Sequence, residues 1–281
     1  MKNIPILNSF YKLALFVVAA GLTFASCDST STDSSNQTPV ALQFRSVNKT
    51  ADSASFKVQA DNDQPVDNTI EIEGSNGTLV INEVHFIVDE FELERSEGEC
   101  TDDPENGKDD VCEDFESEMF FVDLPLDNQP LEIVQSPIQN GIYDEIEFEV
   151  DDLDIDDDDN GEKQQQKEAL LDEIQETFPD WPESSSMVVK GHFVSNSGQT
   201  TEYTTFAEAE IEMEMELNPP LDIQNGPRRS ITINISPTDW FKRNDGSVIN
   251  LSNYDYETTQ KILEFEVEME NGFFSAEVDE D

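Results

Sequence analysis

Positive charge is scarce in this chain: 15 Lys and Arg stand against 64 Asp and Glu, a formal net charge of -49 over 281 residues. Nucleic acid is excluded as a partner, because phosphate contacts need clustered Lys and Arg. The doublet Arg228-Arg229 reads instead as a feature of a strand edge. Histidine is nearly missing too. His85 and His192 both fall in strand-like patterns, where a packed or surface ring is the usual fate, so neither is read as catalytic or as a transition-metal ligand. A Gly-x-Ser-x-Gly elbow, a phosphate-cradling glycine loop and His-Glu-x-x-His are all absent. Carboxylates are so abundant that a glycosidase-like pair can be found anywhere, which empties such a pair of meaning. Trp181 and Trp240 are read as core or loop anchors in preference to sugar-stacking platforms. No catalytic centre is therefore expected.

One apolar run is present. It extends from Leu13 to Phe24, behind Lys2 and Lys12 and ahead of Phe24-Ala25-Ser26-Cys27. About a dozen apolar residues are too few to cross a bilayer core as a helix, which takes roughly 20. Small residues before the cysteine suit a peptidase site. The segment resembles a bacterial lipoprotein signal, with Phe24 in place of the more usual leucine and Cys27 as the lipobox cysteine. The resemblance implies that residues 1–26 are removed and that Cys27 carries acyl chains on its sulfur and amine, a number of chains sufficient to hold a protein on a membrane. The expected location is the cell envelope, at the outer membrane or cell surface in preference to the inner membrane. Residues 27–39 form a lipidated, Ser/Thr/Asn/Asp-rich flexible tether, and the folded part occupies 40–281.

Assigning Cys27 to lipid leaves Cys100 and Cys112, an even pair in an oxidising compartment, which reads as a structural disulfide. Closing the polar loop between them removes unfolded-chain entropy worth about 3 kcal/mol. Loss of Lys2 and Lys12 with the signal, which carries no acidic residue, takes the formal charge from -49 to -51. Such charge keeps a chain soluble and monomeric while its self-repulsion opposes compaction. A saline habitat, a cation-binding role and an ordinary acidic surface all account for it.

Apolar residues alternate with polar ones along most of the folded part, the signature of half-buried strands. Strands are expected over 54–60, 69–73, 79–93 with breaks of register, 119–124, 142–150, 187–195, 202–217 and 230–235. From Ala209 to Leu217 the period of two is strict, as in a strand with one face in a core and a carboxylate-coated face in solvent. Asn76-Gly77, Asn140-Gly141, Asn196-Ser197-Gly198, Asn225-Gly226 and Asn271-Gly272 mark turns. Helix is expected over 163–178, where Leu170, Ile174 and Phe178 share a face and Pro179 stops the pattern, and more briefly over 257–263, although Leu263, Phe265, Val267 and Met269 also alternate like a strand. The expected fold is mainly β, a sandwich with one or two short helices and with an acidic loop and helix inserted near 151–182.

The segments 80–88, 138–148 and 231–249 carry a resemblance of their own. The middle one holds Gly141-Ile142-Tyr143-Asp144-Glu145-Ile146, a Gly-x-Tyr-x-x-Ile strand entry, and the last holds Asp239-Trp240-Phe241 and Asp245-Gly246. Together they resemble a β-rich domain of unknown function in lipoproteins of Bacteroidota-like bacteria. That resemblance implies an immunoglobulin-like or related antiparallel β-sandwich and brings no functional residues with it.

One ligand-like pattern stands out. Asp156-Asp157-Asp158-Asp159-Asn160-Gly161 matches the Asp-x-Asp-x-Asn-Gly start of a calcium loop, in which oxygens at alternate positions converge on a hard cation and glycine permits the turn. Lys167 occupies the twelfth position, where an EF-hand has glutamate, so a complete EF-hand is disfavoured. The candidate calcium ligands are Asp156, Asp158 and Asn160 through their side chains, Glu162 through its carbonyl and Glu168 in place of the missing carboxylate; a solvated acidic linker is the competing reading. Together these features point to a lipid-anchored, non-enzymatic binding or structural module of the envelope, able to bind calcium, with an unidentified protein or glycan ligand. An exported hydrolase acting on polysaccharide is the alternative.

Overall fold

Alternation turns nearly every described segment of the computed structural model into strand; these segments are residues 37–47, 54–56, 69–96, 114–153, 161–209, 211–224, 229–265 and 273–280. All lie within one compact unit, Ser35–Asp281. In chain order the strands are β1 (Gln37–Ser46), β2 (Ala54–Phe56), β3 (Ile70–Gly74), β4 (Gly77–Val88), β5 (Glu90–Arg95), β6 (Phe115–Glu116), β7 (Phe120–Asp123) and β8 (Leu131–Gln139). There follow β9 (Gly141–Val150), β10 (Met187–Ser195), β11 (Thr200–Ala209), β12 (Ile211–Ile223), β13 (Arg229–Ile235), β14 (Leu263–Phe265) and β15 (Phe273–Glu280). The helices are α1 (Gly161–Thr177), α2 (Pro237–Phe241) and α3 (Tyr256–Thr259), with a 3-10 turn at Leu251–Tyr254.

The strands form three sheets. Sheet 1 runs β15-β13-β1-β8, sheet 2 runs β14-β11-β10-β4-β3-β2 with β7 also on β4, and sheet 3 runs β12-β9-β5-β6. Two strand pairs pass from sheet 2 into sheet 3: β4 gives way to β5 at Asp89, and β11 gives way to β12 after Ala209. The two sheets are thus continuous along the chain, and sheet 1 packs on both. Phe44 of β1 marks the junction, with ring centroids 5.8 Å from Phe86 of sheet 2 and 6.4 Å from Phe148 of sheet 3. Inward residues of all three sheets merge in one apolar core that also takes in Trp240 and Phe241 of α2. The fold is mainly β and layered as a sandwich, as expected.

Several details depart from the expectation. The pairings β1 with β13 and β11 with β14 are parallel, where an all-antiparallel sandwich was anticipated. Strand β1 starts at Gln37, three residues ahead of the anticipated Val40, because Thr38 is tied in: its hydroxyl lies 2.8 Å from Asn140 Oδ1 and 2.8 Å from the Gln224 carbonyl oxygen. The breaks within 79–93 have two causes. A register shift leaves Asn82 opposite no residue of β10, so Asn82 and Glu83 are both exposed and the alternation restarts at Val84; the second break is the sheet change at Asp89. The helix expected over 257–263 is confined to α3, and the strand-like alternation from Leu263 is β14 as far as Phe265, with Val267 and Met269 outside the described residues.

Helix α1 spans Gly161–Thr177, 17 residues, starting two residues ahead of the anticipated 163–178 and ending one residue short of it. Its stripe of Leu170, Ile174 and the following Phe178 covers the outer face of sheet 2, against Ile87, Val188 and Phe206, with Trp181 closing the second apolar cluster. At its start Lys163 Nζ reaches Asp89 Oδ2, 3.4 Å away, at the hinge between sheets 2 and 3.

Candidate functional site: a glutamate-faced sheet

Three runs of Glu-x-Glu-x-Glu occur in the strands of sheet 3: Glu90, Glu92 and Glu94 on β5; Glu145, Glu147 and Glu149 on β9; Glu212, Glu214 and Glu216 on β12. The apolar residues between them, among them Phe91, Leu93, Ile146, Phe148 and Met213, point into the core, so the glutamate positions share the opposite face. Pairing then aligns the runs. Glu149 lies opposite both Glu90 and Glu212, Glu147 opposite Glu92 and Glu214, and Glu145 opposite Glu94 and Glu216. Glu116 of β6 extends the middle row from Glu92. The outcome is a three-by-three lattice of glutamate positions, spaced about 4.8 Å across strands and about 6.7 Å along them.

Like charges directly opposite one another in a sheet are destabilising. Three of its members, Glu145, Glu90 and Glu92, have their carboxyls raised above the ordinary range. Glu145 is pushed up to about 7, first by a side-chain hydrogen bond with Glu214, then by burial, then by repulsion from Glu214, Glu94 and Glu216. Glu90 is raised by burial and by Glu116, with Lys163 opposing, and Glu92 is raised by burial, Asp114 and its own neighbours in the lattice. The folded-state value for Glu145 lies above its ordinary 4.5, so the folded chain binds the proton more tightly than the unfolded one. This contribution to stability is complete below 4.5 and is lost as pH rises through about 7. Glu145→Gln keeps a donor toward Glu214 without needing the proton. With solvent screening taken into account, since Glu214 is exposed and Glu145 only partly shielded, the variant is expected to gain no more than about 1 kcal/mol near pH 8 and nothing near pH 5. Urea titrations of both proteins at the two pH values measure it.

A second group of polar side chains lies on the outer face of sheet 2. His85 is buried, its ring stacked on Phe121 at 5.6 Å between centroids and met by the Phe178 ring at 4.9 Å. Lys190 Nζ sits 2.8 Å from Glu83 Oε2 and 4.5 Å from the centre of the Phe178 ring. Burial opposes the charge on Glu83, but Lys190 and His85 hold its carboxyl below the usual range. Among the described residues no group of three or more His, Cys, Asp and Glu is arranged to hold a metal ion.

Of the residues singled out in the sequence, Cys27, Cys100, Cys112, Asp156, Asp158 and Asn160 lie outside the described residues, as does the side chain of Glu162. Glu162 is the second residue of α1. Glu168 is exposed on α1, where Gln164 Nε2 donates to its carboxylate at 3.4 Å, and Lys167 beside it is buried. The turns at Asn76-Gly77 and Asn196-Ser197-Gly198 link β3 to β4 and β10 to β11, with Gly198 at a φ of 81° that favours glycine. Asn225-Gly226 and Asn271-Gly272 are outside the described residues. Trp181 and Trp240 are buried in the two apolar clusters, as core anchors. Sequence reading noticed the β12 glutamates alone; the signal it missed is that the same five-residue pattern recurs at 90–94 and 145–149.

No family model matches the chain, and no curated protein does. A solved structure with which it aligns is MbnP from Methylosinus trichosporium, at 10% identity and a TM-score of 0.32, over 70% of this chain and 76% of that one. At that score the likeness carries no argument. No helix among the described residues is long and apolar enough to cross a membrane.

Proposed function

We propose that the protein is a lipid-anchored, non-catalytic binding module of the cell envelope, and that it presents sheet 3 to a partner whose surface is positively charged. The observation that carries this reading is the in-register glutamate lattice on a solvent-facing sheet. A flat face of one charge suits a broad complementary surface, and complementary potentials steer encounter and fix orientation. The calcium expectation becomes secondary in this reading: cations gather at the lattice as counterions, in addition to any bound at 156–162.

The buried tryptophans give further support. Trp240 is 0% and Trp181 4% exposed, and Trp181 Nε1 donates to the Ser185 carbonyl, so both indoles are committed to packing and neither is offered to a sugar ring.

The test uses the chain from Asp28 onward and an immobilised lysine oligomer as the probe. Changing the middle row, Glu92, Glu147 and Glu214, to Gln is expected to weaken binding about tenfold or more, from three partly screened charges. Changing three exposed acids of α1, Asp172, Glu173 and Glu176, to the corresponding amides removes equal charge and is expected to weaken it about twofold or less. Equal loss in the two variants reduces the interaction to net charge and defeats the proposal.

A further inference from the structure

Once the alternation restarts beyond Asn82, β4 places Glu83, His85 and Ile87 on the face of sheet 2 that α1 covers. Ile87 is what such a position calls for. His85 is not: it is 8% exposed, and neither of its ring nitrogens has a hydrogen-bond partner. Each nitrogen nonetheless looks at a carboxylate. Nε2 is 3.5 Å from Glu83 Oε2, and Nδ1 is 3.5 Å from Asp123 Oδ1. A neutral imidazole offers one donor and one lone pair, so in either tautomer one nitrogen presents a lone pair to an anion. The imidazolium alone has donors for both sides. Its charge, however, is opposed by burial between the rings of Phe121 and Phe178.

The two protonation states therefore ask for different surroundings. The neutral ring fits the aromatic slot; the charged ring already has both carboxylates within 3.5 Å but is cut off from water there, and it regains hydration at the rim, where Glu83 and Asp123 are 46% and 74% exposed. The same slot seats the end of α1. Phe121 and Phe178 both pack on Trp181, with centroids 5.5 Å and 5.8 Å away, and Trp181 packs on Phe206 of β11 at 5.4 Å. We propose that His85 is an acid-sensitive latch: its neutral ring completes the seat of the C-terminal end of α1 on sheet 2, and its protonation releases that end.

The charged groups facing His85 are Glu83 on its own strand, Asp123 on β7 and Lys190 on β10; the residue it meets beyond the helix end, Phe178, is uncharged. Burial depresses the proton affinity of His85, Asp123 and Glu83 pull it up, and Lys190 adds to the lowering, with a net value below the ordinary 6.5. The docked state thus binds the proton less tightly than the released state. Docking is complete above 6.5 and is lost as pH falls through the lower docked value, by at most about tenfold per pH unit for one proton. The latch is independent of the proposed role of sheet 3.

The experiment follows amide hydrogen exchange in α1 of the full chain from about pH 7.5 to about pH 5 at fixed ionic strength, the range over which histidine titrates. Rates are corrected for intrinsic pH dependence and referred to β1 and β13. Relative exchange in α1 is expected to rise about tenfold or more on acidification. His85→Phe, which keeps the aromatic packing and cannot titrate, is expected to abolish the rise. Asp123→Asn removes an acceptor of the imidazolium at an exposed position and is expected to move the midpoint to lower pH, a readout that stands even if His85→Phe does not fold. A flat wild-type profile, an unchanged rise in His85→Phe, or a midpoint that Asp123→Asn leaves in place or raises would overturn the latch.

Discussion

Replacing Phe44 by Ala is expected to remove about 4 kcal/mol of folding stability, within the range for truncating a buried phenylalanine. The side chain is 1% exposed. It meets Phe86 of β4 edge-on at 77°, Phe148 of β9 at 82° and Phe120 of β7 at 58°, so one ring on sheet 1 touches both sheets facing it. Edge-to-face ring pairs add to area burial, and deletion strips all three contacts together. The hole opens between layers held by different hydrogen-bond ladders, so it cannot close by the shift of one strand. Domain stabilities are about 5–15 kcal/mol, which makes this loss a large share of the total. Urea unfolding with an unchanged slope and a lower midpoint is the expected signature; a loss under about 1 kcal/mol would show that the sheets do not meet at this ring.

Gly191→Ala is expected to cost about 3 kcal/mol, although it adds a single methyl. Gly191 lies on β10 beside the irregularity at Asn82, facing Ile81 of β4. A Cβ there would run into the Val80 carbonyl oxygen and come within 2.8 Å of the Tyr203 hydroxyl. That hydroxyl is buried and donates to the same carbonyl at 2.9 Å, with burial holding the phenol well above its ordinary range. The methyl must therefore displace backbone or break a buried hydrogen bond. Tyr203→Phe in the Gly191→Ala background sorts the two: recovery of about 1 kcal/mol assigns the cost to the phenol, and no recovery assigns it to the backbone.

The strands themselves were legible because their cause is local. The bounds of β10 coincide with the expected 187–195, whereas the single strand expected over 202–217 divides after Ala209 into β11 and β12, which belong to different sheets. The helix over 163–178 was legible from Leu170, Ile174 and Phe178 on one face, and its start two residues earlier at Gly161 belongs to the acidic segment that precedes it. Strand β8 was not anticipated. Its burial is mixed, with Leu131 exposed and Pro137 inside the strand, so no clean period marks it; pairing with β1 along most of its length makes it a strand.

The candidate surface divides along the same line. Each Glu-x-Glu-x-Glu run fixes by itself which residues face out, because side chains alternate with a period of two. By itself, then, this sequence determined charge, the absence of recognisable catalytic motifs, the mainly β character and the face on which each carboxylate sits. That three such runs stand side by side in register was decided by the pairing of β5, β9 and β12, strands far apart in the chain. The setting of His85 was decided in the same way: Asp123, Lys190 and Phe178 reach it from β7, β10 and the end of α1. Register and neighbours are cooperative properties of the packed sheets. A pattern within one strand says which way a side chain points, and the tertiary structure alone says what it meets there.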